Sequence, residues 1–171
     1  TIVEAMDSVL PIFDKELRRP LEIAIKKQKI AVHTKVFAKG IEENKDGSVD
    51  LLYTPKDAKE GTDPERLTVD KVLVTVGRRP MSAALAPTGV ALDERGFVKV
   101  NNKCETNMKG VYAIGDVCDL GEMLAHVASF QGEMVAEILA GHNRAYEPAA
   151  VPAIVFTEPE VVSVGLSPDE A

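Results

Sequence analysis

Asp116 closes the run Glu105-Thr106-Asn107-Met108-Lys109-Gly110-Val111-Tyr112-Ala113-Ile114-Gly115-Asp116. Residues 111–114 read as a short, fully buried strand, and Gly115 as a point where the backbone comes close to a neighbour. A carboxylate at the carboxyl end of such a strand lies on the edge where open α/β sheets bind ligands. It can accept two hydroxyl hydrogen bonds, which suits a ribose or a polyol. A helical pattern opens at Leu124-Ala125-His126, so a helix N-terminus is expected to face the same edge. Strand-Gly-Asp alone fits both a dinucleotide site and an ordinary buried strand that ends in a turn Asp.

Glu4 is a second candidate. It ends a short apolar strand, where an acidic residue of a Rossmann unit accepts hydrogen bonds from the adenosine ribose. The same charge repels a 2′-phosphate, and no Lys or Arg occurs between Ala5 and Asp14. The plain alternative is a solvated Glu at a strand end. Gly77 follows the apolar run 72–76, where a missing side chain permits a bound cofactor to approach; a turn Gly is the alternative. Arg78 and Arg79 could form an anion site; at least one of them reads as structural, donating hydrogen bonds to nearby carboxylates or carbonyls, rather than as catalytic. The two cysteines, Cys104 and Cys118, lie far outside C-x-x-C spacing and read as free thiols of a reducing, cytoplasmic protein. His33 and His142 take surface or structural roles by default. No catalytic residue and no metal site is expected in these residues.

The elements that must position these groups follow from periodicity. Residues 14–28 have helical spacing, with Leu17, Leu21, Ala24 and Ile25 on one stripe, between strands at 2–5 and 30–34. Residues 36–43 and 48–53 read as a hairpin around Asn44-Lys45-Asp46-Gly47, with a third strand starting at Leu67. The β-branched run 72–76 suits a strand buried on both faces. A helix is expected over about 123–140, burying Val127, Met134, Ile138 and Leu139, with Gly141 at C′. Residues 154–156 and 161–164 read as strands of a further unit. Ser167 and Pro168 read as the N-cap and N1 of another helix. The start in mid-strand and the end in a helical turn read as an internal piece of a longer protein. Length (171 residues) and 45 % hydrophobic content suit one ordinary domain or two small ones. A net charge of -7 argues against nucleic acid, and no apolar run approaches membrane-spanning length.

Thr106, Val111, Tyr112, Ala113, Ile114, Gly115 and Asp116 together resemble the second flavin-binding motif of the flavin disulfide reductases. Met123-Leu124-Ala125-His126 is similar to the variant of the dihydrolipoamide dehydrogenase branch. The segment 72–80, ending Gly77-Arg78-Arg79-Pro80, is similar to the strand-Gly-Arg segment of the same family. Residues 155–161 resemble the opening of its dimerisation domain. The motifs stand in family order from Thr1 to Ala171.

That resemblance implies an α/β fold, Rossmann-like with FAD- and NAD-binding layers, running into an α+β dimerisation domain. It implies the second half of an NAD domain over 1–78, a central domain over 79–148 and the start of an interface domain from 149. FAD and NAD are the implied cofactors. Glu4, Val36 against the adenine and Gly77 would serve NAD. Asp116, on a ribitol hydroxyl, and the backbone of Met123, Leu124, Ala125 and His126, beside the isoalloxazine, would serve FAD. His126 then lines the flavin pocket rather than moving protons. The implied activity is oxidation of protein-bound dihydrolipoamide through a disulfide and FAD to NAD, within 2-oxo acid dehydrogenase complexes and as a homodimer. The family's C-x-x-x-x-C pair and its catalytic His–Glu pair are not in these residues, so the 171 residues alone are expected to be inactive. Other members of the family, acting on glutathione, mercury or transhydrogenation, form the alternative; an inert folded module is another.

Overall fold

The chain divides into two units in the computed structural model, which describes residues 1–168, 170 and 171. One unit holds residues 1–75 and 152–171, the other residues 76–151.

In the first unit, β1 (Ile2–Val3) runs parallel to β2 (Val32–His33), and α1 (Lys15–Lys27) makes the crossover between them. This is the expected strand–helix–strand. α1 carries Glu16 in its first turn and Lys26 and Lys27 in its last, the arrangement its dipole favours. Pro20 lies inside the helix and cannot donate to the Glu16 carbonyl. Phe13, Leu21 and Val161 form the core, with Leu10, Ile25, Ala153 and Val155 packed around them. Leu17, expected on the buried stripe, lies outside that cluster and is exposed.

A three-stranded antiparallel meander follows: β3 (Val36–Glu43), β4 (Val49–Pro55) and β5 (Glu65–Val69). The turn between β3 and β4 is the one its residues dictate. Gly47 takes φ 87°, Asn44 N–H donates to Ser48 O, and Gly47 N–H to Asn44 O. β4 is central and buries Asp50, Leu51, Tyr53 and Thr54. The Asp50 carboxylate accepts from Thr68 Oγ1 at 2.7 Å, Asn44 Nδ2 at 3.1 Å and Arg66 Nη1 at 3.2 Å. β6 (Ala153–Val155) and β7 (Val161–Ser163) form an antiparallel pair, β6 starting and ending one residue earlier than expected and β7 ending one residue earlier, which leaves Phe156 and Val164 outside it and exposed. Glu170 Oε2 accepts from the N–H and hydroxyl of Ser167, and Ser167 Oγ accepts from Glu170 N–H in return. Those are capping bonds; the helix expected there runs through Asp169, which lies outside the described residues.

The run 72–76 corrects the expectation. It forms no strand, and Leu73 and Val76 are each 87 % exposed. A strand buried on both faces needs hydrogen-bonding neighbours and a covering layer on each face. The parallel pair β1–β2 is only two residues long, and 72–76 does not join it.

In the second unit, α2 (Ala125–Leu139) lies over a set of turns and single bridges: Leu92 with Val98, Val98 with Cys118, and Glu105 with Tyr112. Its core is Cys104, Val127, Met134 and Tyr146. Gly141, at φ 93°, donates to Ile138 O and His142 N–H to Glu137 O, a Schellman close as the glycine predicts. Leu139, expected to be buried, is exposed. Residues 111–114 also depart from the expected buried strand. They pair through one bridge at Tyr112, and Val111 and Ile114 are both exposed. Hydrogen-bonded neighbours lie on one side only: Ala113 N–H donates to Cys104 O, and Val111 O accepts from Thr106 N–H. Among the described residues no helix is long and apolar enough to cross a membrane.

Candidate functional site

Glu4 and Val36 come together in the first unit. Glu4 follows β1 directly; its N–H donates to His33 O at 2.8 Å and its carbonyl accepts from Val36 N–H at 3.2 Å. Glu4 Oε1 accepts from Met6 N–H at 2.8 Å, which fixes the carboxylate across the turn that leaves the strand. A cleft of about 460 Å³ opens beside it, lined by Ile2, Val9, Leu21, Ile25 and Ile30 among others. The lining is mainly aliphatic and carries two carboxylates, Glu4 and Glu158, with Gln28 and Thr157. It can accept hydroxyl hydrogen bonds while a flat ring lies on aliphatic side chains.

The remaining candidates belong to the second unit. Gly77 takes φ 93°, is exposed, and a Cβ there would meet nothing within 4 Å. Its backbone angle, rather than a crowding neighbour, is what asks for glycine. It does not end a strand, because 72–76 forms none.

Asp116 sits in the middle of the one-turn 3₁₀ segment Gly115–Val117. Its carboxylate is 46 % exposed, and Arg78 Nη1 lies 3.6 Å from Oδ2. Arg78 is therefore an ion-pair partner of the candidate carboxylate. The turn is held hard against α2. Gly115 takes φ 69°, and a Cβ on it would lie 3.0 Å from Ala128 Cβ. The neighbour that Gly115 approaches is therefore the helix itself.

Met123 and Leu124 are half-buried and lead into α2, with Leu124 at the N-cap in extended conformation. Ala125 and His126 are exposed in the first turn. Among the described residues, the N–H groups of Ala125, His126 and Val127 have no protein acceptor. A helix end of this kind attracts negative charge through those donors and its dipole. Asp116 and the helix end thus offer two complementary functions on one unit: an acceptor for hydroxyls and a donor set for an electron-rich ring. That donor set fits a flavin nucleotide.

Gln131 is the residue that sequence reasoning missed. It is 0 % exposed. Its Oε1 accepts from Gly115 N–H and its Nε2 donates to Leu120 O, both at 2.6 Å. The signal was available: Gln131 falls on the buried stripe between Val127 and Met134, where a polar side chain must find partners. The Cys118 thiol donates to Gly115 O at 3.2 Å. Burial pushes the Cys104 thiol up to about 11, with Cys118 a secondary cause. Burial raises Cys118 as well, so neither is a ready thiolate.

An acidic strand end, and an exposed carboxylate on a turn packed against a helix, are groups that can hold the hydroxyls of a nucleotide. The chain belongs to the pyridine nucleotide-disulphide oxidoreductase family, whose model matches residues 1–132. It is 42 % identical to the dihydrolipoyl dehydrogenase of Thermus scotoductus, over 100 % of this chain and 36 % of that protein. To that of Pseudomonas aeruginosa it is 41 % identical, over 99 % of this chain and 35 % of the relative. The chain thus spans about a third of the length of these relatives. Among solved structures, the HOCl-induced flavoprotein disulfide reductase RclA of Escherichia coli superposes with a TM-score of 0.83 at 25 % identity. That match covers 99 % of this chain and 37 % of the other. LpdA of Mycobacterium tuberculosis superposes at 0.82 and 26 % identity, over 96 % and 34 %.

Proposed function

We propose that these residues serve, within a longer protein, a dihydrolipoyl dehydrogenase that oxidises protein-bound dihydrolipoamide and reduces NAD. FAD, when bound, carries the electron pair between a disulfide and the nicotinamide. The reading is carried by one observation: an exposed Asp116 carboxylate on a turn clamped to α2, whose first N–H groups have no protein acceptor among the described residues. Asp116 accepts from a hydroxyl of the FAD ribitol. The Ala125–Val127 donors favour negative charge on the flavin ring. Arg78 Nη1 lies 3.6 Å from Oδ2 and directs that oxygen, leaving Oδ1 for a ligand hydroxyl. His126, exposed at the helix end, lines the ring rather than transferring protons.

On the NAD side, Glu4 accepts from the adenosine ribose and Val36 lies against the adenine. A second anion at a 2′-phosphate would face Glu4 with no Lys or Arg between Ala5 and Asp14 to offset it. The choice among family members rests on relatives at 36–42 % identity across this whole chain, all dihydrolipoyl dehydrogenases. Cytoplasmic location, a homodimer, and dihydrolipoyl domains of 2-oxo acid dehydrogenase complexes as partners belong to the same proposal. Steady-state kinetics of the longer protein with dihydrolipoamide, comparing NAD with NADP, test it. A charge-assisted bond of roughly 1.5–3 kcal/mol predicts about 10- to 150-fold higher kcat/KM with NAD. Equal values would overturn the Glu4 assignment, and no turnover of dihydrolipoamide would overturn the substrate.

A further inference from the structure

We propose that Gln131 is a positioning residue for Asp116: its side-chain amide sets the direction in which the carboxylate meets a flavin hydroxyl. The inference rests on the flavin reading of this site. A 3₁₀ turn of three residues has little internal means of fixing a side chain. Here Cys118 closes it, with its N–H 3.1 Å and its thiol 3.2 Å from Gly115 O. The outer side of the segment is tied down by Val98: Val98 N–H donates to Val117 O at 2.8 Å, and Asp119 N–H to Val98 O at 3.1 Å. Asp119 itself is spent on Val100 N–H, at 3.0 Å. From α2, Gln131 ties the turn at its first residue, through Gly115 N–H, and the chain three residues past it, through Leu120 O.

That double duty needs one acceptor and one donor on the same short group. A glutamine amide has both; a carboxylate lacks the donor and an alkyl chain lacks each. Burying an amide at 0 % exposure is costly unless both ends are satisfied, and here both are. Gly115, the residue gripped by Oε1, is the immediate neighbour of Asp116. Releasing its N–H frees the φ 69° backbone that aims the next side chain. The Gly115 clearance of 3.0 Å against Ala128 shows how little lateral room the turn has while the clamp is closed.

The test is a double-mutant cycle on FAD affinity, measured with the flavin-free longer protein and added FAD. The variants are Gln131→Met, close in shape but without the hydrogen bonds, Asp116→Ala, and the pair. If Gln131 acts through Asp116, Gln131→Met alone raises the FAD Kd about tenfold, a part of what Asp116→Ala loses when its charge-assisted bond goes. In the Asp116→Ala background it then adds no more than about twofold. A full tenfold effect in both backgrounds makes Gln131 a packing residue and overturns the inference. So does an unchanged Kd for Gln131→Met. Should that variant not fold, Gln131→Leu, which also removes both hydrogen bonds, takes its place in the cycle with the same reading. A parent protein that binds no FAD overturns the flavin reading itself, a different result from an additive cycle.

Discussion

A carboxylate serves as a ligand only if the protein leaves it something to give. Asp116 is half-exposed, with Arg78 at 3.6 Å as its ion-pair partner, so it keeps accepting capacity for a ligand hydroxyl. Replacing Asp116 by Ala in the longer protein should weaken FAD binding by roughly 1.5–3 kcal/mol, which dialysis against chaotrope and flavin absorbance would register. Full retention would remove Asp116 from the site. The buried thiols make the opposite case. Cys104 titrates near 11 because burial disfavours the thiolate. A folded pKa above the unfolded value means stability is fully present below about pH 8.5 and is lost as pH rises toward 11. Urea unfolding at pH 8 and pH 10.5 should show that loss, and Cys104→Ala should flatten it. A slope that persists in the variant belongs to another group.

At the scale of elements, α2 organises the second unit, and Gly115 marks where the turn and the helix touch. Gly115→Ala sets a methyl 3.0 Å from Ala128 Cβ at φ 69°. Left-handed strain and overpacking together should destabilise the unit by on the order of 1–3 kcal/mol, read from thermal unfolding. Neutral behaviour would mean that the turn can lift off the helix freely. Much of this layer was legible in the sequence. The Asp46-Gly47 turn and flanking alternation specified the β3–β4 hairpin, and Gly141 closed α2 where a C′ glycine should. What was not legible is equally physical. The composition of 72–76 says that it prefers burial, but not which strands would supply its hydrogen bonds. The same holds for 111–114, whose apolar residues pair through one bridge. Gln131 escaped because helical spacing ranks positions by apolarity, so a polar residue on the buried stripe counts against burial. Its two partners are sixteen residues away at Gly115 and eleven at Leu120.

For the whole molecule, the decisive fact is coverage: the chain matches about a third of each dihydrolipoyl dehydrogenase it resembles. The cysteines present are Cys104 and Cys118, both buried and outside any C-x-x-x-x-C spacing. The candidate FAD contacts come from Asp116 and the α2 end alone. The 171 residues by themselves are therefore expected to hold no stoichiometric FAD and to turn over no dihydrolipoamide. Each missing contact of ~1.4 kcal/mol lowers affinity tenfold. The most direct test of the account is made on the longer protein, purified and assayed for bound flavin and for dihydrolipoamide-dependent NADH formation. The account predicts one FAD per chain, turnover with NAD, and loss of flavin in Asp116→Ala. A colourless protein, or a yellow one inert toward dihydrolipoamide and NAD, would contradict it.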